Sequence, residues 1–389
     1  MSGKSSTLLS VMFTLVGMEA NNALKVREII RLLEDWAPPV LQENYDNSGL
    51  IVGDRDAVIN KVLVSLDCTE DVVAEAEAED AGMIISHHPI VFKGLKTFTG
   101  ASYVERTVMR AIKSGIAIYA IHTNLDNVFT GVNYEFATAL GCLPESLKIL
   151  KPKPALLATV TVFCPEEHVE AVKMAMHGAG GGAIGYYDMC SFTAEGEGAF
   201  RPNSKADPFI GEAGKLEKVG EKRVEMICER WKVGMVISAA KDAHPYEEIA
   251  HFATELCNKD ERIGSGMIGK LAEPMRWDEF LDSTKSALKV NHIKHTKPAG
   301  EMVKTIAVCG GSGSFLLRDA MSKTADVFVT SDFKYHEFFD ADGKIMIADV
   351  GHYESEWRTS QLIANRIKEK FTNFAVRLAS ANTNPVQIR

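Results

Sequence analysis

The chain has 389 residues, which is long for one ordinary domain and favours either two domains or one domain with a large insertion. Its 43 Lys and Arg residues against 52 Asp and Glu residues give a net charge of −9, which excludes a nucleic-acid or acidic-membrane partner held by bulk electrostatics. Seven scattered cysteines without a C-x-x-C pair exclude a disulfide framework and a zinc ribbon, and they indicate a reducing compartment.

The chain begins with a leader over residues 1–20. Its apolar run, LLSVMFTLVGM, has about eleven residues, whereas a membrane-spanning helix needs about 20. Lys4, several Ser and Thr residues and the lack of an acid before Glu19 are compatible with a weak targeting segment. We therefore predict a cytoplasmic protein, with mitochondrial targeting by the leader as the alternative.

Residues 21–150 alternate between helical and strand-like segments. Strands are predicted at KVLVSLD, GMIISHH and IAIYAIHT, and helices at NNALKVREIIRLLEDW, TEDVVAEAEAEDA, YVERTVMRAIKSG and VNYEFATALG. The same rhythm returns over residues 263–389, with strands in KTIAVCGGSGS, DVFVTSD and KIMIADVGHY. This alternation predicts an α/β fold, in which the two stretches form the N-terminal and C-terminal lobes of one domain.

The middle stretch, residues 151–262, has a different pattern and is predicted to be an insertion. It opens with the stiff linker KPKP and continues as strand, helix, glycine-rich passage and strand. Its last part, GMVISAAKDAHPYEEIAHFATEL, is predicted as a helix or strand, a turn and a helix. The order strand, helix, strand, strand, helix outlines a ferredoxin-like α+β module.

Histidines recur where the predicted strands of the two lobes end. In open α/β sheets the carboxyl ends of the strands are where ligands bind, so this convergence is the main functional signal. The residues concerned are His87, His88, His122, His336 and His352.

His122 and His352 each have a carboxylate four residues later. His122 precedes Asp126, and His352 precedes Glu356 at a predicted helix start, where this spacing places both groups on one face. Imidazole and carboxylate donors without thiolate are typical of Zn²⁺, Mn²⁺, Fe²⁺ or Ni²⁺ sites. Taken singly, each fragment has a structural alternative, such as a hydrogen-bonded histidine, an Asx turn or an acidic helix start.

The adjacent pair His87 and His88 indicates two ions rather than one. Pro89 favours an extended conformation at His88, and neighbouring side chains of an extended segment diverge. The two rings can therefore reach two different ions, with Asp126 and Glu356 as bridges between them. Two ions about 3.5–4 Å apart activate a water and stabilise a leaving oxygen.

Two further segments remain open to more than one interpretation. VCGGSGS runs from a strand into glycines before a helix; it is either an anion cradle or a tight turn, and it lacks both nucleotide-binding glycine patterns. TSDFKYHEFFDA carries Asp332, Lys334 and His336, which either position a substrate, serve in proton transfer, or do neither.

Six motifs in this order resemble the NGG-interacting-factor-three-like proteins, also catalogued as GTP cyclohydrolase 1 type 2 homologues. They are NYDNSGLIVGD, ISHHPIVFKGLK, IHTNLDN, CGGSGS, TSDFKYHE and ADVGHYESE, and the resemblance covers nearly everything from Asn21 to Gln387. It implies a two-lobed α/β domain with a dinuclear metal cleft in a homohexamer. The residues that match the family's metal ligands are His87, His88, Asp126, His352 and Glu356.

The resemblance also assigns roles to other residues. His122 matches a histidine beside the site and His336 one lining the cavity, so both are candidate catalytic groups for proton transfer. The inserted segment is similar to the PII and CutA proteins, which implies trimer contacts. TSD stands where the family usually has Thr-Gly-Asp, and the leader has no counterpart.

These observations support three functional hypotheses. The first is a metal-dependent hydrolase in which two divalent ions per subunit, zinc first and iron, manganese or nickel as alternatives, activate a bridging water toward a small-molecule substrate that the sequence does not identify. The second is a non-enzymatic metal carrier or partner-binding scaffold. The third is a structural protein without metal.

Overall fold

The computed structural model describes residues 23–185 and 187–389, so the leader predicted over residues 1–20 lies outside the described residues. The chain divides into two compact units. One unit combines the residues up to Lys151 with those from Arg262 onward, and the other is Pro152–Glu261.

Eleven α-helices form among the described residues. They are α1 Val26–Trp36, α2 Glu70–Ala78, α3 Tyr103–Lys113, α4 Thr123–Asp126, α5 Val132–Ala139, α6 Val169–Gly178, α7 Val233–Ala243, α8 Trp277–Leu288, α9 Leu317–Ser322, α10 His352–Glu356 and α11 Thr359–Lys370. None of the helices in this part of the chain is long and apolar enough to cross a bilayer.

Seventeen β-strands accompany the helices in the same part of the chain. They are β1 Leu24–Lys25, β2 Gly49–Val52, β3 Val58–Ile59, β4 Lys61–Ser65, β5 Met83–Ser86, β6 Ala117–Ala120, β7 Lys148–Pro152, β8 Leu157–Cys164, β9 Phe192–Phe200, β10 Glu217–Glu229, β11 His251–Glu255, β12 Gly264–Arg276, β13 Lys294–His295, β14 Met302–Ser312, β15 Val327–Ser331, β16 Met346–Asp349 and β17 Ala375–Leu378. With the helices they form a mixed α/β structure, as the sequence predicts.

The first sheet of the larger unit has the strand order β17-β4-β5-β6-β2. Its four strands from β17 to β6 are parallel, and β2 runs antiparallel to β6. The central strand β5 is fully buried, which explains its continuous apolar sequence, because a parallel strand is covered on both faces. The carboxyl ends of β4, β5 and β6 therefore lie side by side at one edge of the sheet.

The second sheet of this unit has the order β13-β16-β15-β14-β12-β7. The strands β14, β15 and β16 are parallel, so their carboxyl ends also share one edge. Each lobe has buried aliphatic clusters against its sheet; Leu63 and Ile84 belong to one, and Ile306 and Met346 to another. These clusters hold the strands in place and so set the positions of the residues that follow the strand ends.

The smaller unit contains the order β8, α6, β9, β10, α7, β11, with the strands arranged as β11-β8-β10-β9. All neighbouring pairs are antiparallel, which is a ferredoxin-like topology. The sequence prediction of a helix at the end of this segment was wrong, because His251–Glu255 forms the edge strand β11. Pairing with β8 overrides the local helical pattern there.

Candidate metal centre

The carboxyl ends of both sheets of the larger unit supply a cluster of imidazole and carboxylate groups. His87 and His88 directly follow β5, and their backbone N–H groups continue the ladder to Ser65 and Leu66 at the end of β4. His122 follows β6 and caps the short helix α4, whose last residue is Asp126. The second lobe supplies α10, which begins after β16.

His87 is completely buried and has one ring nitrogen already engaged. Its Nδ1 lies 2.8 Å from the carbonyl oxygen of Ile121, so that nitrogen carries the proton and donates it. The opposite nitrogen, Nε2, is left as a lone-pair donor facing the interior of the cluster. It lies 3.6 Å from Asp126 Oδ1 and 3.9 Å from Glu356 Oε1.

His88 diverges from His87 and is held by a different partner. Its Nδ1 lies 2.7 Å from Asp67 Oδ1, and its Nε2 lies 3.0 Å from Glu356 Oε2. Asp67 is anchored in turn by the Thr383 hydroxyl, which donates to Oδ2 over 2.8 Å. The ring of His88 is therefore fixed from behind while its Nε2 points toward Glu356.

His122 has the same arrangement. Its Nδ1 lies 2.7 Å from Asp46 Oδ1, and the Asp46 carboxylate is fully buried and also accepts hydrogen bonds from the backbone N–H and the hydroxyl of Thr123. The ring centroid of His122 lies 5.2 Å from that of His87 and 5.3 Å from that of His88. Three rings from two strand ends thus converge.

The second lobe contributes His352 and Glu356 from the same face of α10. His352 Nδ1 lies 2.6 Å from Asp332 Oδ2, and its Nε2 lies 3.1 Å from Glu356 Oε2. Glu356 is 3% exposed, and its Oε2 faces both His88 and His352 while its Oε1 faces His87. The i, i+4 spacing seen in the sequence thus places both groups in the cluster.

Three overlapping groups of side chains have ligand atoms within 4.8 Å of one another and could hold a metal ion. One contains His87, Asp126 and Glu356, and a second contains His88, His352 and Glu356. The third joins His87, His88 and His122. The first and second groups have only Glu356 in common, and the adjacent residues His87 and His88 belong to different groups.

Unsatisfied atoms show that these residues fit a cation. His87 Nε2 and Asp126 Oδ1 are both buried without a hydrogen-bond partner. Each presents a lone pair, so neither can satisfy the other when the carboxyl is ionised, and leaving such atoms unpaired costs about 1–3 kcal/mol each. A divalent ion coordinated by both atoms would remove this cost, and it matches the nitrogen and oxygen chemistry of the donors.

The charges of the cluster are strongly coupled. Burial and the neighbouring Glu356 raise the pKa of Asp126 to about 7. Burial opposes protonation of His88, but its hydrogen bonds to Asp67 and Glu356 prevail and raise its pKa to about 9. In the same way, Asp332 and Glu356 raise the pKa of His352 to about 11 against the effect of burial.

Glycines of β14 make room for Glu356. Gly311 has φ = +63°, and a Cβ atom at this position would lie 2.4 Å from Glu356 Oε1. Its N–H donates to the Ser355 hydroxyl, and the N–H of Gly310 donates to Asn133 Oδ1. These two amides are committed to the protein, so the VCGGSGS segment supports Glu356, and its first two glycines do not cradle an anion.

His336 is the one predicted site residue outside these groups. It lies in the 3₁₀ helix Tyr335–Ala341, is exposed, and stacks on Phe339 with centroids 6.4 Å apart. Among the described residues, no hydrogen bond or ion pair joins it to the cluster. Its neighbour Asp332 does reach the cluster, through His352.

Sequence reasoning missed the roles of Asp46 and Asp67, which orient His122 and His88. Asp67 lies two residues after the end of β4, as His88 lies two residues after the end of β5, so its position at a parallel strand end was a usable signal. Asp46 lies in the loop before β2, and nothing in its spacing connects it with His122, 76 residues later. Only the fold brings those two together.

A family model described as Duf34/NIF3 (NGG1p interacting factor 3) matches residues 24–385. A protein of Halalkalibacterium halodurans named GTP cyclohydrolase 1 type 2 homolog is 37% identical over 345 residues, which is 88% of this chain and 91% of that protein. A Bacillus subtilis protein of the same name is 35% identical over 363 residues, covering 92% of this chain and 97% of its own length.

Solved structures agree with the sequence relatives. The crystal structure of a Bacillus cereus protein related to NIF3 is 35% identical, with a TM-score of 0.82, and the match covers 94% of this chain and 99% of that one. The resemblance inferred from the six sequence motifs is thereby confirmed. The name shared by the two relatives states a homology rather than a reaction.

Proposed function

The chain belongs to the Duf34/NIF3 family, and we propose that it is a metal-dependent hydrolase with a dinuclear centre at the strand ends of its larger unit. The substrate is a small molecule. The observation that carries the proposal is the pair of buried, unpaired atoms His87 Nε2 and Asp126 Oδ1, 3.6 Å apart. A divalent ion bound by both atoms would remove the cost of leaving them unpaired.

The ligand assignment follows the two groups that share Glu356. His87 and Asp126 would hold one ion, and His88 and His352 the other, with the carboxylate of Glu356 between them. Zinc is the first choice, and iron, manganese and nickel are alternatives that accept the same donors. Two such ions supply Lewis acidity, which makes water a nucleophile near neutral pH and stabilises a leaving oxygen.

The residues of the chain supply orientation and proton transfer. Asp46, Asp67 and Asp332 each accept a hydrogen bond from the Nδ1 of one histidine, which fixes the orientation of the ring and leaves its Nε2 directed inward. His122 is the better-placed proton carrier, because its ring lies beside His87 and His88 and its Nδ1 is hydrogen-bonded to Asp46. His336 is the weaker candidate, since it is exposed beside Phe339.

The proposal is tested by combining metal analysis with turnover. Purified wild-type protein and an Asp126→Asn variant, which keeps the shape of the side chain but removes its charge, are loaded with zinc, manganese or iron. Both are then assayed on phosphoesters, nucleotides and cyclic amides. We expect turnover by the wild type, at least about 100-fold slower turnover by the variant, and loss of one of two ions by elemental analysis.

Failure of the test has two distinct forms. Two tightly bound ions without turnover of any compound would overturn the hydrolase and support a metal carrier. Equal metal content in wild type, His88→Ala and Glu356→Ala would overturn the dinuclear centre itself.

We also propose that the smaller unit is a PII- and CutA-like module through which copies of the chain form trimer contacts within a homohexamer. Its ferredoxin-like sheet supports this, because α6 and α7 cover one face and the other face carries exposed aromatic rings. Phe192 and Phe252 are 65% and 61% exposed on that face. Exposed apolar groups of this size are typical of association surfaces.

A further inference from the structure

An exposed aromatic pair stands beside the metal centre and has no role in holding it. Tyr45 is 65% exposed and Phe92 is 46% exposed, and their ring centroids are 6.2 Å apart at an interplanar angle of 46°. Phe92 also meets His122 edge-on, with centroids 6.3 Å apart. The three rings form a path that leads from the histidine cluster to solvent.

The two loops that carry these rings are held in place by hydrogen bonds around the cluster. Tyr45 precedes Asp46, which is fixed by His122 and Thr123. Phe92 follows His87 and His88 within five residues, and the side-chain amide of Asn47 donates to the carbonyl oxygen of Val91 over 2.6 Å, joining one loop to the other. The rings are therefore pre-organised on the ligand-bearing segments themselves.

Holding two large rings in water forgoes burial worth about 25 cal/mol per Å² of apolar surface. Such a cost is understandable where a ligand covers the rings, and two tilted aromatic faces favour a planar conjugated partner. The Tyr45 hydroxyl adds polar recognition. Burial and the carboxylates of Glu43, Asp126 and Asp46 raise its pKa, so it keeps its proton and donates at neutral pH.

We propose that Tyr45 and Phe92 bind the planar heterocyclic ring of the substrate and place its reactive edge over the metal centre. The inference rests on the proposed function, since it defines the substrate class of the same site. It assigns the heterocyclic ring of the substrate to the lobe that carries His122. It also makes Tyr45 and Phe92 specificity-determining residues rather than metal ligands.

The test measures ring binding without requiring turnover. Zinc-loaded protein is titrated with adenosine, uridine and pterin, and with ribose as the probe without a planar ring, by calorimetry and by saturation-transfer NMR. We expect saturable binding of at least one planar probe and none of ribose. Tyr45→Ala and Phe92→Ala should each weaken binding about tenfold or more, which is the loss expected for one stacked ring.

Two variants make the comparison specific. Tyr45→Phe keeps the ring and should retain most of the affinity, whereas Phe92→Leu keeps bulk without a π-face and should lose it. Tyr103→Ala removes an aromatic residue of similar exposure, 59%, from the first turn of α3 and should bind like wild type. All variants should keep wild-type metal content.

Several results would overturn the inference. They are the absence of binding by all three planar probes up to about 10 mM, equal binding of ribose, or unchanged affinity in both alanine variants. Loss of metal in those variants would make the rings structural supports, and a change of oligomer mass would make them a contact between subunits. Ring binding without turnover would contradict only the hydrolase, and turnover of a ring-free ester without ring binding would contradict only this inference.

Discussion

At the scale of single residues, each histidine of the cluster has its Nδ1 hydrogen-bonded to an acceptor of the protein. Nδ1 of His87 is bonded to a backbone carbonyl, while His88, His122 and His352 are bonded to Asp67, Asp46 and Asp332. A ring held in this way has a fixed tautomer and loses little freedom when its Nε2 binds a metal. The three aspartates are thus part of the proposed metal site.

This arrangement predicts that removing an outer aspartate weakens metal binding without removing a ligand. Asp67→Ala should reduce the affinity for zinc about 10–100-fold, because His88 loses the acceptor that orients its ring. The measurement is competition with a chromophoric chelator. Asp71→Ala, which removes the same charge from the exposed first turn of α2, is the control and should leave the affinity unchanged. An affinity equal to wild type in Asp67→Ala would contradict the role given to Asp67.

The raised pKa values predict that metal and protons compete. In the metal-free protein the pKa of His88 is about 9 and that of His352 is about 11, so both rings are protonated at pH 7. Zinc needs their deprotonated Nε2 atoms and should release about two protons per protein at pH 7. Its affinity should therefore rise with pH up to about 9, and then less steeply.

The proton release can be measured by calorimetry in two buffers of different ionisation enthalpy at pH 6, 7 and 8. A heat of binding that is independent of the buffer would show that no protons leave. That result would contradict the protonation states derived from Asp67, Asp332 and Glu356.

The residue pattern in the sequence predicted the imidazole and carboxylate groups that the fold brings together in the cluster. It did not predict the aspartates that orient the histidine rings. His87, His88, Asp126, His352 and Glu356 stand out because metal-binding residue types follow apolar strands. Asp46 and Asp67 orient rings that belong to other strand ends, and such a relation exists only once parallel strands lie side by side. A short-range pattern in the sequence cannot predict which strand ends become neighbours in the sheet.

At the scale of elements, the glycines of β14 connect backbone conformation with the site. Gly311 combines a positive φ with a close approach to Glu356, and its carbonyl oxygen accepts hydrogen bonds from the hydroxyls of Thr330 and Ser331. The strand therefore stays ordered at a position where a side chain would collide with a central carboxylate.

Two glycine substitutions can separate strain from collision. Gly311→Ala and Gly343→Ala both place a Cβ at positive φ, +63° and +66°, at a cost of about 1–2 kcal/mol in unfolding free energy. Only Gly311→Ala meets Glu356, whereas the space at Gly343 is open. We expect Gly343→Ala to lose about that amount and Gly311→Ala to lose more, because its Cβ also collides with Glu356, with a loss of bound metal only in Gly311→Ala.

Denaturant titration and elemental analysis of the two variants provide the measurement. Full metal content in Gly311→Ala would show that Glu356 moves aside freely. It would then not be the shared ligand that we propose.

The elements themselves were largely predictable, and their partners were not. Apolar runs and 3.6-residue periodicity located the central parallel strands and most helices of both lobes, but no strand was predicted at Gly49–Val52, Lys148–Pro152 or Gly264–Arg276. No strand was predicted at Ala375–Leu378, which pairs in parallel with β4 in the sheet of the opposite lobe. Three of its four residues are exposed, and its pairing with a strand more than 300 residues earlier leaves no local sequence pattern.

At the scale of the whole molecule, the inserted unit has one sheet face that the helices leave open, and this is the face of the proposed trimer contacts. Phe252, Thr161, Glu225 and Phe192 are successive cross-strand partners, so they form one row on the same face. Val160 and Val162 point to the other face, into the cluster formed with α6 and α7. The aromatic row is thus the part of this face on which the proposed trimer contacts would depend.

A double substitution tests this assembly. Phe192→Ser combined with Phe252→Ser should lower the mass measured by size-exclusion chromatography with light scattering, because it removes the apolar contacts of the open face. Met174→Ser on α6, where Met174 is 56% exposed, is the control on the helical layer and should keep the wild-type mass. A monomeric wild-type protein, or an unchanged mass in the double variant, would contradict trimer contacts through this face.

The placement of the insertion also affects how the protein is made. His87 and Asp126 leave the ribosome before the inserted unit, and His352 and Glu356 leave after it, with Thr383 later still. At about 5–20 residues per second, tens of seconds separate the two sets of ligands. During that interval the nascent chain has only the first half of the proposed metal centre, so an ion that needs Glu356 as a ligand would not be held until synthesis is nearly complete. Because the insertion lies between the two sets of ligands along the chain, the proposed centre could bind metal only after the second lobe has been synthesised.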